Sequence, residues 1–281
     1  MRYILAALAA AFVMAAAPGV ASAEVKGTLK IGWEDTSFDF DNSYACGECY
    51  YDNNYDYNGP SLAVAVSDDL GGDWFIQGDA RAQHESSDWG YGYSSNDSVG
   101  HTAIHVGMRN ESYAVAGFVA LQNWYGDSIP EIGFEAQKYF DKATLSGSIA
   151  YGSYDSDYYY DYDAWDAQAQ ASYYINDTWT VTGGIGYAKL DYNYGDTSLW
   201  TYGVGAEYRI PDSRFSIQAA YIRGEGDDTY DSYSTDTFQI GVNIDLGIGT
   251  AKERDQTGPG QIGADAFDTH WRLFSDAYYI D

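Results

Sequence analysis

The stretch that decides the fold is WTVTGGIGY, residues 179–187, because its chemical character alternates from one residue to the next. One set of side chains is largely apolar and the other polar or small: Trp179, Val181, Gly183, Ile185 and Tyr187 against Thr180, Thr182 and Gly186. A period of two is typical of a β-strand whose two faces meet different surroundings. The same pattern recurs, separated by turns, from residue 24 to about residue 248.

The repeated segments are about nine to thirteen residues long, which lets a tilted strand cross a bilayer. After residue 23 no apolar run reaches the length of about eighteen residues that a membrane helix needs. We count about twelve such segments. The sequence therefore predicts an all-β fold, a transmembrane antiparallel up-and-down β-barrel over residues 24–248. A soluble β-sandwich uses the same period and remains the alternative, although its edge strands would need protection.

The connections between predicted strands alternate between short turns and longer segments. Asp141-Lys142 and Asn176-Asp177 are short turns, whereas Asp and Tyr dominate residues 50–57, 155–163 and 227–236. Outer-membrane barrels show this asymmetry, with short turns on the periplasmic side and long loops outside. Clustered carboxylates could bind calcium. Because no twelve-residue calcium-loop pattern is present, we favour a solvated acidic rim.

The N-terminus has the composition of an export signal. Arg2 precedes an apolar stretch over residues 4–17, and the small residues Ala21-Ser22-Ala23 follow. This order predicts a signal peptide over residues 1–23 that is cleaved before Glu24.

The alternation ends before the last part of the chain, residues 249–281. A segment containing Gly and Pro at 257–260 is followed by apolar positions at spacings of three and four: Ala264, Phe267, Trp271, Phe274 and Tyr278. That spacing indicates a short amphipathic helix, which would cover the periplasmic end or enter the lumen. A loosely ordered polar tail is the other interpretation.

Charge and aromatic content restrict the partners of the chain. Its 14 Lys and Arg against 42 Asp and Glu give a formal net charge of −28, which argues against nucleic acid as a partner. Its 29 Tyr and 8 Trp suit a protein with two membrane interfaces, where aromatic side chains concentrate. Outer-membrane lipid is therefore an expected partner.

Cys46 and Cys49 are separated by two residues, Gly47 and Glu48, in a polar segment of a chain with a predicted export signal. A local disulfide is the favoured interpretation because exported compartments are oxidising. A zinc site would need further ligands nearby, and a thioredoxin-like redox motif would need a βαβ unit. We expect neither a metal nor a cofactor.

The polar strand faces of a closed barrel point into its interior. Closure is required because unpaired strand edges in hydrocarbon cost several kcal/mol for each unsatisfied group. The charged residues on these faces are candidate lumen and selectivity residues: Lys30, Asp79, Arg81, Glu135, Asp166, Glu207, Arg209 and Asp245. Opposed acids and bases would create a field across a hydrated pore. Alternatively, they pair and fill a narrow, closed interior.

Histidine occurs in two patterns that bear on catalysis and metal binding. His84-Glu85-Ser86 faintly resembles the His-x-Ser of outer-membrane phospholipases, but the sequence that follows in that family is missing, so we expect no enzyme. His101 and His105 share one face of a strand at a separation too large for one metal ion. We expect them to be wall or rim residues.

The chain resembles the broad group of Gram-negative outer-membrane porins over about residues 24–248. The resemblance rests on the signal peptide, the Trp and Tyr distribution, the turn and loop asymmetry, and strand repeats such as TFQIGVNI, residues 237–244. The chain departs from the group in being shorter than sixteen-stranded porins and in ending Ile280-Asp281 rather than on an aromatic residue.

This resemblance implies an outer-membrane location and passive diffusion of small hydrophilic solutes, with a mild preference for cations set by the lumen charges. It also implies trimerisation, as a homo-oligomer. The alternative is a non-conducting barrel with a structural or surface-recognition role through its Asp and Tyr-rich loops.

Overall fold

The structure is a computed structural model that describes residues 26–41, 55–88, 94–124, 127–154, 162–192, 195–228 and 232–260. The predicted signal peptide, Cys46 and Cys49, and the apolar positions from Ala264 to Tyr278 lie outside these residues. The predictions of a signal peptide, a disulfide and a helix at those positions stay predictions.

The described residues form a closed antiparallel barrel in which each strand pairs with its neighbours in sequence and the first pairs with the last. The elements are β1 (Lys26–Asp41), β2 (Tyr55–Gly71), β3 (Trp74–Asp88), β4 (Ser94–Arg109), β5 (Tyr113–Trp124), β6 (Asp127–Tyr139), β7 (Ala143–Tyr154), β8 (Tyr162–Tyr174), β9 (Trp179–Tyr192), β10 (Gly195–Arg209), β11 (Phe215–Asp228), β12 (Ser232–Leu246) and α1 (Ala251–Thr257). This confirms the predicted up-and-down barrel of about twelve strands. Among the described residues, no helix has the length and apolar character needed to cross a membrane.

The strands extend further toward the long-loop end than the sequence pattern predicts. The alternation of the sequence ends at Trp33 and resumes at Ser61, which predicts a long acidic, aromatic loop over residues 34–58. That prediction is wrong at both ends, because β1 continues to Asp41 and β2 begins at Tyr55. Thr36 still pairs with Thr237 of β12, and their hydroxyls lie 2.9 Å apart. Outward-facing residues beyond the hydrocarbon do not have to be apolar, so the sequence alternation fades while the backbone ladder continues.

The five connections at the other end are tight turns, and two of them use the same local bonding. Asn110 Oδ1 accepts hydrogen bonds from the backbone N–H groups of Ser112 and Tyr113 at 2.8 and 3.1 Å. Asn176 Oδ1 accepts from Thr178 and Trp179 in the same way, both at 2.9 Å. Asn side chains favour turns because they replace missing backbone partners. We call this the short-turn end of the barrel.

The outer surface carries the apolar half of the alternation, with residues such as Ile132, Ile149 and Val204 more than half exposed. On β8, β9 and β10, outward-facing aromatic residues lie eight positions apart: Trp165 and Tyr173, Trp179 and Tyr187, Trp200 and Tyr208. Eight residues span about 26 Å along a strand, and a tilt of about 40° reduces this to about 20 Å across the membrane. The spacing fits two aromatic belts on either side of an apolar band.

Aromatic residues on neighbouring strands contact each other within these belts. The ring centroids of Tyr187 and Trp200 lie 4.8 Å apart, and those of Trp179 and Tyr208 lie 4.9 Å apart. Such amphipathic rings are enriched where hydrocarbon meets headgroups. The belts therefore mark the two interfaces of a membrane-spanning wall.

A side chain at position 59 would break the contact between β2 and β3. A Cβ added to Gly59 would lie 1.6 Å from the carbonyl oxygen of His84, which belongs to the backbone and cannot move aside without bending β3. We predict that Gly59→Val lowers the free energy of unfolding of the refolded barrel by about 1–3 kcal/mol, as overpacking usually does. Urea titration in detergent micelles, followed by tryptophan fluorescence, measures the change.

Gly117→Val is the matched control because a Cβ at Gly117 meets only the carbonyl oxygen of Gly133, at 3.8 Å. Equal unfolding midpoints for Gly59→Val and Gly117→Val would contradict the close approach of β2 and β3.

Candidate functional site: the charged barrel interior

All eight candidate lumen residues lie on the inner face of the wall. Six of them are buried, namely Asp79, Arg81, Glu135, Asp166, Arg209 and Asp245. Lys30 and Glu207 are partly buried and border an interior cavity. Their role in selectivity stays a prediction.

A first ionic cluster joins three strands on the long-loop side of the interior. Arg81 of β3 forms an ion pair with Glu34 of β1. Gln239 Nε2 of β12 donates to Glu34 Oε2 at 2.9 Å. Glu34 was assigned to a loop from sequence, so its role as the partner of Arg81 was missed. Glu34 follows Lys30 by four positions, so in a strand the two side chains share the inner face. That spacing was the sequence signal for its position.

A second cluster centres on His105, whose side chain is fully buried between two carboxylates. Its Nδ1 lies 2.6 Å from Glu135 Oε1, and its Nε2 lies 2.7 Å from Asp79 Oδ2. Gln77 Nε2 donates to Asp79 Oδ2 at 3.1 Å. An imidazolium with a proton on each nitrogen fits two flanking carboxylates. The cluster joins β3, β4 and β6.

His101 and His105 lie on β4 in the barrel wall, as predicted, and both side chains are buried on its inner face. The physical reason is the phase of β4, in which exposed Ile104 and Val106 face lipid and the odd-numbered residues therefore face inward. The sequence pattern contained this signal.

A third cluster lies at the short-turn end, where Arg254 of α1 reaches the wall. Its guanidinium contacts Glu207 twice, with Nη1 3.1 Å from Oε1 and Nη2 2.6 Å from Oε2. Arg254 Nη1 also lies 3.4 Å from Asp245 Oδ2, and Arg209 Nη1 lies 2.6 Å from the same oxygen. Burial opposes the charge on Arg254, but attraction by Glu207 and Asp245 outweighs it and raises the pKa of Arg254 well above its usual range.

The N-terminus of the helix that carries Arg254 is capped by local hydrogen bonds. Thr250 Oγ1 accepts from the backbone N–H of Glu253 at 3.0 Å, and Glu253 Oε2 accepts from the N–H of Gly249 at 2.7 Å. This Thr-x-x-Glu spacing is a helix-start signal that sequence reasoning missed. The helix has seven residues, so too few turns exist for an apolar periodicity to be visible.

Residues 249–260, which we call the terminal segment, are bonded to strands around the whole barrel. Lys26 Nζ donates a hydrogen bond to Thr257 Oγ1 at 2.8 Å, and Tyr174 Oη donates to Asp255 Oδ2 at 2.7 Å. Two further side chains donate to backbone carbonyls: Arg109 Nη1 to Gly258 at 2.7 Å, and Gln137 Nε2 to Gly260. These wall residues belong to β1, β4, β6 and β8. With the Arg254 contacts to β10 and β12, they hold the terminal segment across the short-turn end.

The interior is filled on one side and hollow on the other. On β3 to β6, Phe75, His105, Phe118 and Tyr139 occupy the interior as bulky buried side chains. On β7 to β11 and on β2 the inner face is mostly small: Ala63, Ala65, Ser146, Ser172, Thr182, Gly205 and Ala220 border a cavity of about 120 Å³. Arg254, Asp255, Pro259 and Gly260 line the same cavity. The terminal segment is therefore a floor of the hollow side.

At the long-loop end, bulky apolar side chains enter the interior beside buried polar ones such as Glu85 and Glu131. Phe38 and Tyr233 stack with ring centroids 5.2 Å apart. Leu190, Leu199 and Ile222 are buried at the same end of their strands. These side chains narrow the interior above the ionic clusters.

The remaining sequence candidates are the His84 pattern, a metal site and the acidic segments. His84 is exposed, and its Nδ1 lies 3.2 Å from Ser98 Oγ on β4. Within the described part of the chain, no group of three or more His, Cys, Asp or Glu side chains is arranged to hold a metal ion. Parts of the three acidic segments lie outside the described residues, at 50–54, 155–161 and 229–231, and the solvated acidic rim stays a prediction.

The ion pair between Arg81 and Glu34 predicts a large stability cost for losing one partner. Arg81→Met leaves the buried carboxylate of Glu34 without its guanidinium, and breaking such a pair costs about 3–5 kcal/mol. We expect a loss of that order in the free energy of unfolding, measured by urea titration of the refolded barrel.

Arg223→Met is the control, because Arg223 and Asp236 form an ion pair of 2.6 Å with side chains 30% exposed. Such accessible pairs contribute about 0–1 kcal/mol. If Arg81→Met lowered the free energy of unfolding by less than Arg223→Met does, the ion pair of Arg81 and Glu34 would not be shielded from water.

Comparisons with known proteins match the fold alone. No protein-family model and no curated protein matches the chain. An outer membrane channel from Pseudomonas putida F1 matches with 11% identity and a TM-score of 0.55, over 82% of this chain and 98% of that one. The β domain of the Bordetella autotransporter BrkA matches with 10% identity and a TM-score of 0.50, over 78% and 99%.

OmpT of Vibrio cholerae, in its trimer form, matches with 11% identity and a TM-score of 0.42, over 80% of this chain and 99% of that one. The closed barrel with its apolar outer band agrees with the first two of these neighbours. The chain therefore has the fold of bacterial outer-membrane β-barrel proteins.

Proposed function

We propose that the protein is an outer-membrane channel for passive diffusion of small hydrophilic solutes, with a mild preference for cations. The observation that carries this proposal is the hollow, small-residue side of the interior, bordered by Lys30, Asp79 and Glu207. A barrel that served only as a scaffold would be at least as stable with an apolar filling, because buried ion pairs often contribute less than well-packed hydrophobic residues. Charged side chains in the interior are instead expected where water and solutes pass through the barrel.

Charge supports the preference for cations. Three carboxylates, from Asp79, Glu207 and Asp255, face the cavity against two basic groups, from Lys30 and Arg254. The net charge of −28 would also concentrate cations at the channel mouths. The fold shared with an outer membrane channel from Pseudomonas putida F1 agrees with conduction, although that likeness concerns the fold.

A second candidate is a non-conducting barrel with a structural or surface-recognition role. The buried apolar layer at Phe38, Leu190 and Ile222 favours it, since this layer narrows the interior at the long-loop end. The ion pairs below that layer would then serve to fill a closed interior. In either case we propose that the protein is not an enzyme, and a lipid-hydrolysis assay with calcium present tests this.

Planar-bilayer recording of the refolded full-length chain separates the two candidates. The channel proposal expects discrete current steps and a reversal potential in a salt gradient that favours cations. A second preparation carries Arg254→Ala, since Arg254 holds the floor of the cavity. Failure of both preparations to conduct would contradict the channel and leave the structural role.

Lys30 provides a test of selectivity. Lys30→Gln removes the ammonium group from the cavity wall, and one charge at close range in a water-like medium contributes about 0.4–1 kcal/mol. We therefore predict that the cation-to-anion permeability ratio rises about two- to five-fold. Lys138→Gln is the control, because Lys138 is exposed on the outer face. An equal ratio in both variants would exclude Lys30 from the conduction route.

A further inference from the structure

We propose that the terminal segment, residues 249–260, is a displaceable gate of this channel and that Arg254 is its anchor. The inference rests on the proposed channel function. It adds a closed and an open state, in which the segment covers or leaves the cavity at the short-turn end.

The first argument is position. Arg254, Asp255, Pro259 and Gly260 border the same cavity as the wall residues Lys30 and Glu207. Because short turns of such barrels face the periplasm, the segment separates the cavity from that side. Moving it away would connect the hollow side of the interior with periplasmic water.

The second argument is the kind of attachment. The segment is held by hydrogen bonds from wall side chains: Lys26 donates to the Thr257 hydroxyl, Tyr174 to the Asp255 carboxylate and Arg109 to the Gly258 carbonyl. The strands of the wall are joined by continuous ladders. A helix of seven residues has too few hydrogen bonds to be stable alone in water. Its order depends on the wall, so the segment can detach while the barrel stays closed.

The third argument is that the wall can tolerate the loss of Arg254. Arg209 Nη1 stays 2.6 Å from Asp245 Oδ2, and Lys30 borders the same cavity as Glu207. Each carboxylate therefore retains a basic neighbour in the wall, and water entering the cavity would solvate what remains. Two arrangements that differ by a limited free energy are what a gate requires.

The open state should differ from the closed state in selectivity as well as conductance. Displacing the segment takes Arg254 and Asp255 out of the cavity together, and it uncovers the carboxylates of Glu207 and Asp245, both of which Arg254 contacts. A gated opening therefore predicts larger currents together with stronger cation preference. A simple widening of the lumen would raise the current without that change.

The experiment compares single-channel open probability in planar bilayers for the full-length wild type, Arg254→Ala and Arg214→Ala. Arg214 is the matched control, since it is an exposed arginine in a short turn at the same end of the barrel. We expect Arg254→Ala to raise the open probability at least about ten-fold, with a higher cation-to-anion permeability ratio, as loss of a buried partner implies. Arg214→Ala should behave as wild type.

A cross-link tests the gate without removing Arg254. Lys252 Nζ donates to the Asp141 carbonyl at 2.8 Å, which joins the helix to an exposed turn. With Cys46→Ser and Cys49→Ser as background, Asp141→Cys and Lys252→Cys are bridged by a short bismaleimide. Bridging should suppress the openings that the unbridged protein shows.

The outcomes separate the two proposals. An open probability that is unchanged both in Arg254→Ala and after bridging would overturn the gate and leave the channel intact. Absence of current from every preparation would overturn the channel, and the gate with it. If Arg254→Ala does not refold, the bridged and unbridged proteins decide the question by themselves.

Discussion

The hydrogen bonds between β1 and β12 are the constraint on which the rest of this structure depends. Their register runs from Gly27 opposite Leu246 to Asp41 opposite Ser232. Without that pairing, two strand edges would expose backbone N–H and C=O groups to hydrocarbon, at a cost of several kcal/mol for each group. Closing the sheet also gives every strand a common interior. The alternation of the sequence then acquires a fixed meaning, with one face toward lipid and the other toward a confined space.

Confinement explains why the interior charges are paired. A buried charge without a partner is costly, and long-range closure brings partners from distant parts of the chain into contact. Glu34 and Arg81 lie on strands that are not direct neighbours, as do Asp79 and Glu135, which meet through His105. Such pairs fix the relative positions of strands across the inner face. They also leave one side of the interior, lined by small residues, for a cavity.

The terminal segment links the fold to the proposed function. Lys26, Arg109, Gln137 and Tyr174 lie on four strands, and each of them bonds to this one stretch of chain. The wall closes through its own strand ladders, and the segment lies across its short-turn end. In the channel that we propose, this segment is the gate at that end.

The sequence by itself determined the strands, their inward and outward faces and the closed barrel, because a period of two in residues such as 179–187 has only one satisfactory arrangement in a membrane. It also placed residues such as Arg81, Glu135 and Arg209 on the inner face. Only the tertiary structure decided which charges meet, because pairing across the interior depends on the stagger of twelve strands. The roles of Glu34, His105 and Arg254 were missed for that reason. A seven-residue helix carries no readable periodicity, and its position is set by the wall that surrounds it.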